Sequence, residues 1–195
     1  MKIRKITKDE VNALPLIKYE GKCKVISNAQ EVKSAIDDLS KYELLGFDTE
    51  TKPAFKKGQV YPVALLQLAS PNMVYLFRLL ETGFTDEMIA LFENPKITIA
   101  GIGIRDDIKD LQKLKHFEPT GFVDLNTYAK EHDFESIGAR NFSGMFLKGR
   151  ISKSQQVSNW ENETLTEAQI SYAATDAWIC ISIYEGLVAL EAKRA

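Results

Sequence analysis

Histidine and cysteine are scarce in this chain, with two of each among 195 residues. Cys23 and Cys180 stand far apart and form no Cys-x-x-Cys pair, which excludes a disulfide framework and a zinc knuckle and leaves both as buried small hydrophobes. The pair His132-Asp133 hints at an HD phosphohydrolase, but such a centre needs further histidines, and only His116 remains. No stretch is rich enough in proline, glycine or serine to read as a linker, so one domain over residues 1–195 is expected. Nowhere do eighteen apolar residues run together, and no apolar segment follows the charged start Met1-Lys2-Ile3-Arg4-Lys5. A cytoplasmic protein without membrane contact is the expectation. A net charge of -2 gives no excess of cations with which to grip duplex DNA over a long footprint.

Apolar spacing and turn signals give a coarse order of elements. A strand over Lys22–Ile26 precedes a helix from Ala29 to Tyr42, and Leu44 to Glu50 is a strand that breaks into a polar loop. Strands over Tyr61–Ala69 and Met73–Phe77, joined by Ser70-Pro71-Asn72, complete an antiparallel meander. Helix, strand (Ile97–Gly101), helix (Ile104–Leu114) and a short strand at Phe122-Val123 follow. The last third is mainly helical and ends in a long segment from Thr166 to Ala192. This alternation implies an α/β fold with a mixed central sheet flanked by helices, in the order of a ribonuclease H-like domain.

The carboxylates are the chemically loaded groups. Asp48 and Glu50 lie two apart at the end of an apolar strand, so both point from one face, a geometry suited to a shared hard cation. The pair alone leaves open that the strand ends at Phe47 and both acids are solvated. Asp106 and Asp107 open a helix, where acids ordinarily serve the macrodipole. Asp176 follows Tyr172 by four residues, one turn along the same helical face. Gly101-Ile102-Gly103 has the start of a dinucleotide fingerprint, but Asp106 occupies the place of the third glycine, which argues against a nucleotide-cofactor fold.

Four blocks in order, GFDTET at 46 to 51, VALLQLA at 63 to 69, IAGIGIRDD at 99 to 107 and SNWENETLTEAQISYAATDAW at 158 to 178, resemble the tyrosine-bearing DEDD 3'-5' exonucleases. The likeness covers nearly the whole chain and is greatest to the Werner-type exonuclease domains, with ribonuclease D further off. The histidine-bearing subclass is excluded, since neither His116 nor His132 is followed by an aspartate at four or five residues. The resemblance implies two Mg2+ (or Mn2+) ions held by Asp48, Glu50, Asp107 and Asp176, with Tyr172 orienting the attacking water. In the third block Asp107, not Asp106, falls on the family's acidic position.

The implied partner is a nucleic acid, DNA or RNA, with a free 3' end, shortened by release of nucleoside 5'-monophosphates. With four acids assigned to metal, the remaining balance turns to +2. Candidate nucleic-acid contacts are Lys52, Lys56 and Lys57 after the first block, in a loop with Pro53 and Phe55, and Lys148, Arg150 and Lys153 before the last. Trp160 reads as packing rather than base stacking. Gln155 and Gln156 stand where Werner-type domains carry a basic residue, so a preference for duplex is not implied. The alternatives are a ribonuclease D-like RNA-trimming enzyme and a non-catalytic nucleic-acid-binding module on the same fold. Substrate choice is expected to come from this fold or from a protein partner.

Overall fold

The computed structural model describes residues 4–192. Its centre is a six-stranded sheet in the order β1-β4-β3-β2-β5-β6. The strands are β1 (Lys22–Ile26), β2 (Leu44–Thr51), β3 (Val63–Ala69), β4 (Met73–Arg78), β5 (Thr98–Gly101) and β6 (Phe122–Asp124). β2, β3 and β4 form the expected antiparallel meander, while β1 joins β4, β5 joins β2 and β6 joins β5 in parallel.

The helices are α1 (Lys8–Ala13), α2 (Ala29–Leu39), α3 (Leu79–Thr82), α4 (Asp86–Phe92), α5 (Arg105–Leu114), α6 (Leu125–Glu131), α7 (Ala139–Phe142) and α8 (Glu167–Ala192), with a π turn at Ser143–Leu147. The helix expected to reach Tyr42 stops at Leu39, where the Ser40 hydroxyl turns back onto the carbonyl of Ile36. α1 lies within the charged arm that the apolar pattern leaves unassigned. Its start is fixed by a capping box, in which the Thr7 side chain accepts from the Glu10 N–H and the Glu10 carboxylate accepts from the Thr7 N–H.

Alternating residues send each strand to two cores. Leu45, Phe47, Leu66, Leu68 and Phe77 meet α2, α4 and α5 on one face, and Leu65, Ala69, Val74 and Leu76 meet α8 on the other. Phe47 is fully buried and meets Phe92 and Phe122 edge-on, at ring-centroid distances of 6.0 and 5.2 Å. Such pairs contribute about 0.5–1.5 kcal/mol each beyond their area, and here they anchor the residue directly before Asp48. Cys180 is buried as expected; Cys23, on the edge strand β1, is half-buried.

α8 is apolar all round because both its sides are covered: the sheet lies on one, and α6, α7 and the π turn on the other. Among the described residues it is long and apolar enough to cross a membrane by length and composition, yet ten of its side chains, Gln169 and Thr175 among them, are buried within the protein. It approaches β2 closely because Gly46 has no side chain. A Cβ there would lie 2.0 Å from the carbonyl oxygen of Ala177. Gly46→Ala is therefore expected to lift α8 from β2, costing about 3 kcal/mol by overpacking and lowering Tm by roughly 6–12 °C. A thermal melt with unchanged Tm would show that the contact does not set the spacing.

Candidate active site

The strand period places Gly46, Asp48 and Glu50 on the α8 face of β2, with Phe47 and Thr49 opposite. On α8, the small residues Ala173, Ala174 and Ala177 line the contact and bring Asp176 over the end of β2. Asp48, Glu50 and Asp176 thus converge, each offering a carboxylate oxygen, all within 4.8 Å of one another. Asp48 and Asp176 also line a cavity of about 80 Å³ with Ile102, Ala139 and Cys180. No lysine or arginine forms an ion pair with any of the three among the described residues.

Like charges so enclosed favour protonation. Burial, then the charges of Asp176, Glu50 and Asp107, hold Asp48 well above the usual carboxylate range. Glu50 is pushed up to about 9 by burial and by Asp176 and Asp107. Burial raises Asp176 to about 7, against the opposing effects of Tyr172 and Lys153. A cluster of hard oxygen donors without a cation among its protein partners fits a divalent metal ion, which would replace the shared protons.

The fourth expected ligand stands slightly apart. Asp107, in the first turn of α5, accepts a hydrogen bond from the Thr49 hydroxyl, on the opposite face of β2. It is outside the trio, although its charge still acts on Asp48 and Glu50. Asp106 points away, paired with Lys109 at 3.0 Å with its side chain 86% exposed, in keeping with its omission.

Tyr172 sits one helical turn before Asp176. Burial, followed by the charges of Asp176 and Glu50, holds its phenol far above the ordinary value, so it stays protonated as a donor. Behind it lies Trp160, 1% exposed, with ring centroids 6.0 Å apart. That burial makes Trp160 a packing residue, as expected from the sequence.

The basic residues divide. Lys52 pairs with Glu161 at 2.8 Å and lies 4.9 Å from the Tyr61 ring centre, bracing the exit of β2. Lys56 and Lys57 are exposed in the loop beside Phe55. Lys148 adopts a left-handed backbone and its ammonium donates to the Met145 carbonyl at 2.7 Å. Arg150 donates through Nε to the Leu14 carbonyl at 3.1 Å, while its own carbonyl accepts from Ile17. Lys148 and Arg150 are thus engaged in holding the fold. Lys153 is exposed, and its charge reaches Asp176.

Three residues beside the site escape the sequence reading. Thr49 holds Asp107, and nothing in GFDTET distinguishes that role. Gln67 pairs across the ladder with Asp48, so its fully buried carboxamide shares that face; neither polar atom has a partner among the described residues. Its signal was legible as the single polar residue in VALLQLA. Arg140 borders the cavity wall without any motif to mark it.

The raised carboxylates give a signed pH dependence. An acid whose pKa is higher folded than unfolded binds more protons in the folded state, so its contribution to stability is present at low pH and declines as pH rises. For this trio the loss runs from the unfolded values near about 4 through about 7 for Asp176 to about 9 for Glu50. In chelator, Glu50→Gln and Asp176→Asn are expected to gain Tm over the unsubstituted protein, increasingly so towards alkaline pH. Added Mg2+ or Mn2+ should reverse that order by stabilising only the intact trio. A pH-independent difference in differential scanning fluorimetry would remove the shared charge from the account.

Comparisons with known proteins give the family and the fold. A family model described as 3'-5' exonuclease matches residues 23–190. The bifunctional 3'-5' exonuclease/ATP-dependent helicase WRN of Mus musculus is 32% identical over 187 residues, covering 89% of this chain and 13% of that protein. The Aedes aegypti Nibbler EXO domain superposes with a TM-score of 0.81 at 20% identity, covering 91% of this chain and 93% of that one. Escherichia coli RNase D superposes with a TM-score of 0.78 at 20% identity, covering 85% of this chain and 44% of that one. The chain spans only a small part of the mouse relative and less than half of RNase D. With its mixed sheet, its converging carboxylates and a family match across most of its length, the chain belongs to the 3'-5' exonuclease family.

Proposed function

We propose that this protein removes nucleoside 5'-monophosphates from the 3' end of a nucleic-acid strand, using two Mg2+ (or Mn2+) ions held by Asp48, Glu50, Asp107 and Asp176. The observation that carries this reading is the half-buried trio of Asp48, Glu50 and Asp176, crowded together without an ion-pair partner among the described residues in a chain of the exonuclease family. When bound, divalent ions would supply a lowered pKa for the attacking water and neutralise charge on the leaving 3' oxygen.

The residues divide the remaining work. Asp48, whose carboxylate feels the charges of Asp176, Glu50 and Asp107, would serve both ions. Asp107 would contribute its carboxylate from α5, where its charge already acts on Asp48 and Glu50. Tyr172 keeps its proton, so it orients the water by hydrogen bonding rather than accepting a proton from it. Trp160, buried beside Tyr172, keeps the phenol in place.

DNA and RNA are both candidate substrates. The mouse relative's description is a 3'-5' exonuclease joined to a helicase, and that of RNase D is an exoribonuclease in structured RNA processing. Incubating 5'-labelled DNA and RNA, single-stranded and recessed, with Mg2+, Mn2+ or chelator is expected to give a metal-dependent ladder that shortens from the 3' end. Asp48→Asn should abolish it. Tyr172→Phe should slow it about 100-fold while leaving the metal concentration for half-maximal rate unchanged. Substrates left intact but bound would instead identify a non-catalytic binding module, and full turnover by Tyr172→Phe would remove the phenol from the mechanism.

A further inference from the structure

Beside the carboxylate site, the arm ahead of β1 packs against α7 and encloses an open pocket of about 400 Å³. Its charged walls are Lys8 from α1, Arg140 from α7 and Lys153 from the following loop, and no acidic side chain lines it. None of these three cations takes part in an ion pair among the described residues, whereas Lys5, Lys33, Lys41, Lys109 and Lys113 all do. We propose that this pocket is a subsite for a backbone phosphate of the strand being degraded, 5' to the scissile bond. The assignment rests on the exonuclease reading and adds to it a second point of grip.

Arg140 supplies the first argument. Its Nη2 donates to the Asn12 side-chain oxygen at 2.6 Å, but its Nε is enclosed without a hydrogen-bond partner among the described residues. A guanidinium is charged at every working pH, and an enclosed donor left unpaired on it is costly. A phosphate oxygen is the acceptor that its planar fork matches.

Position supplies the second. Ala139, the neighbour of Arg140, lines both this pocket and the cavity that holds Asp48 and Asp176. Lys153 lines the pocket while its charge acts on the Asp176 carboxylate. The pocket therefore adjoins the carboxylate cluster through Ala139, on the side where a strand whose last phosphodiester meets the carboxylates would place a preceding phosphate.

The wall is also built in advance of any ligand. The capping box fixes the start of α1, the Ile6 N–H donates to the Ser136 hydroxyl at 3.2 Å, and the carbonyl of Arg4 accepts from Glu135 at 2.9 Å. Leu16 forms a parallel bridge with Arg150. This arm precedes the stretch matched by the family model.

The test compares a single-stranded oligonucleotide with the p-nitrophenyl ester of thymidine 5'-monophosphate, which has one phosphodiester and nothing to place in the pocket. Lys8→Glu, at an exposed position, and Arg140→Gln, checked by its melt, are each expected to lower the ratio of oligonucleotide to ester kcat/KM about tenfold. In chelator, the slope of log binding constant against log salt should fall by roughly 0.7 for each cation removed. A ratio and slope that stay unchanged, or equal losses on both substrates, would overturn the subsite. If the unsubstituted protein cleaves neither substrate, the exonuclease reading fails, and the salt slope in chelator still decides whether the pocket binds a strand.

Discussion

The closeness of α8 to β2 is the constraint on which the site depends. A bare backbone at Gly46 and the alanines at 173, 174 and 177 let helix and strand approach until one carboxylate from α8 stands among two from β2. Any larger residue at the contact would separate Asp176 from Asp48. The same closeness goes with an α8 that is apolar along much of its length, because the sheet covers one side and α6, α7 and the π turn cover the other. A helix long and apolar enough to cross a membrane is here the inner strut of the site.

That closeness works against the folded state when no cation is present. Three enclosed acids repel one another, and burial raises all of them. The opposing forces are apolar: the aromatic cluster around Phe47 holds β2 from below, and Trp160 holds the start of α8 beside Tyr172. Metal binding would exchange shared protons for a cation and relieve the repulsion without moving the scaffold, which is how a preformed site keeps its ligands in place before the ion arrives.

The sheet and its central motif were readable because they rest on short-range rules. A period of two puts Asp48 and Glu50 together, and one helical turn puts Tyr172 beside Asp176. The Ser70-Pro71-Asn72 turn fixes the β3–β4 hairpin in the same way. Contacts between segments distant in sequence were not readable. Spacing does not reveal that Thr49 reaches Asp107, that Glu161 takes up Lys52, or that Arg150 secures Leu14. Of the six basic residues singled out along the chain, Lys52, Lys148 and Arg150 are engaged within the fold, while Lys56, Lys57 and Lys153 remain outward. Basic composition alone cannot distinguish these cases, because a long cationic side chain serves a carbonyl as readily as a phosphate.

Net charge is misleading for a related reason. A chain at -2 has no general attraction for nucleic acid, but its acids are not spread evenly. Asp106, Asp110 and Asp86 are neutralised by neighbouring lysines, and three others, Asp48, Glu50 and Asp176, gather where a metal would absorb their charge. What a strand would meet on approach is the local field: the carboxylate cluster at the end of β2 with any metal it binds, and beside it cations outside any ion pair among the described residues. Screening at physiological salt limits such fields to about 8 Å, so the placement of a few side chains around α7 outweighs the sum over the whole surface. A protein organised in this way would hold a strand by its end and the nearest phosphates rather than along its length, which suits an enzyme that must release and advance by one nucleotide after each cut.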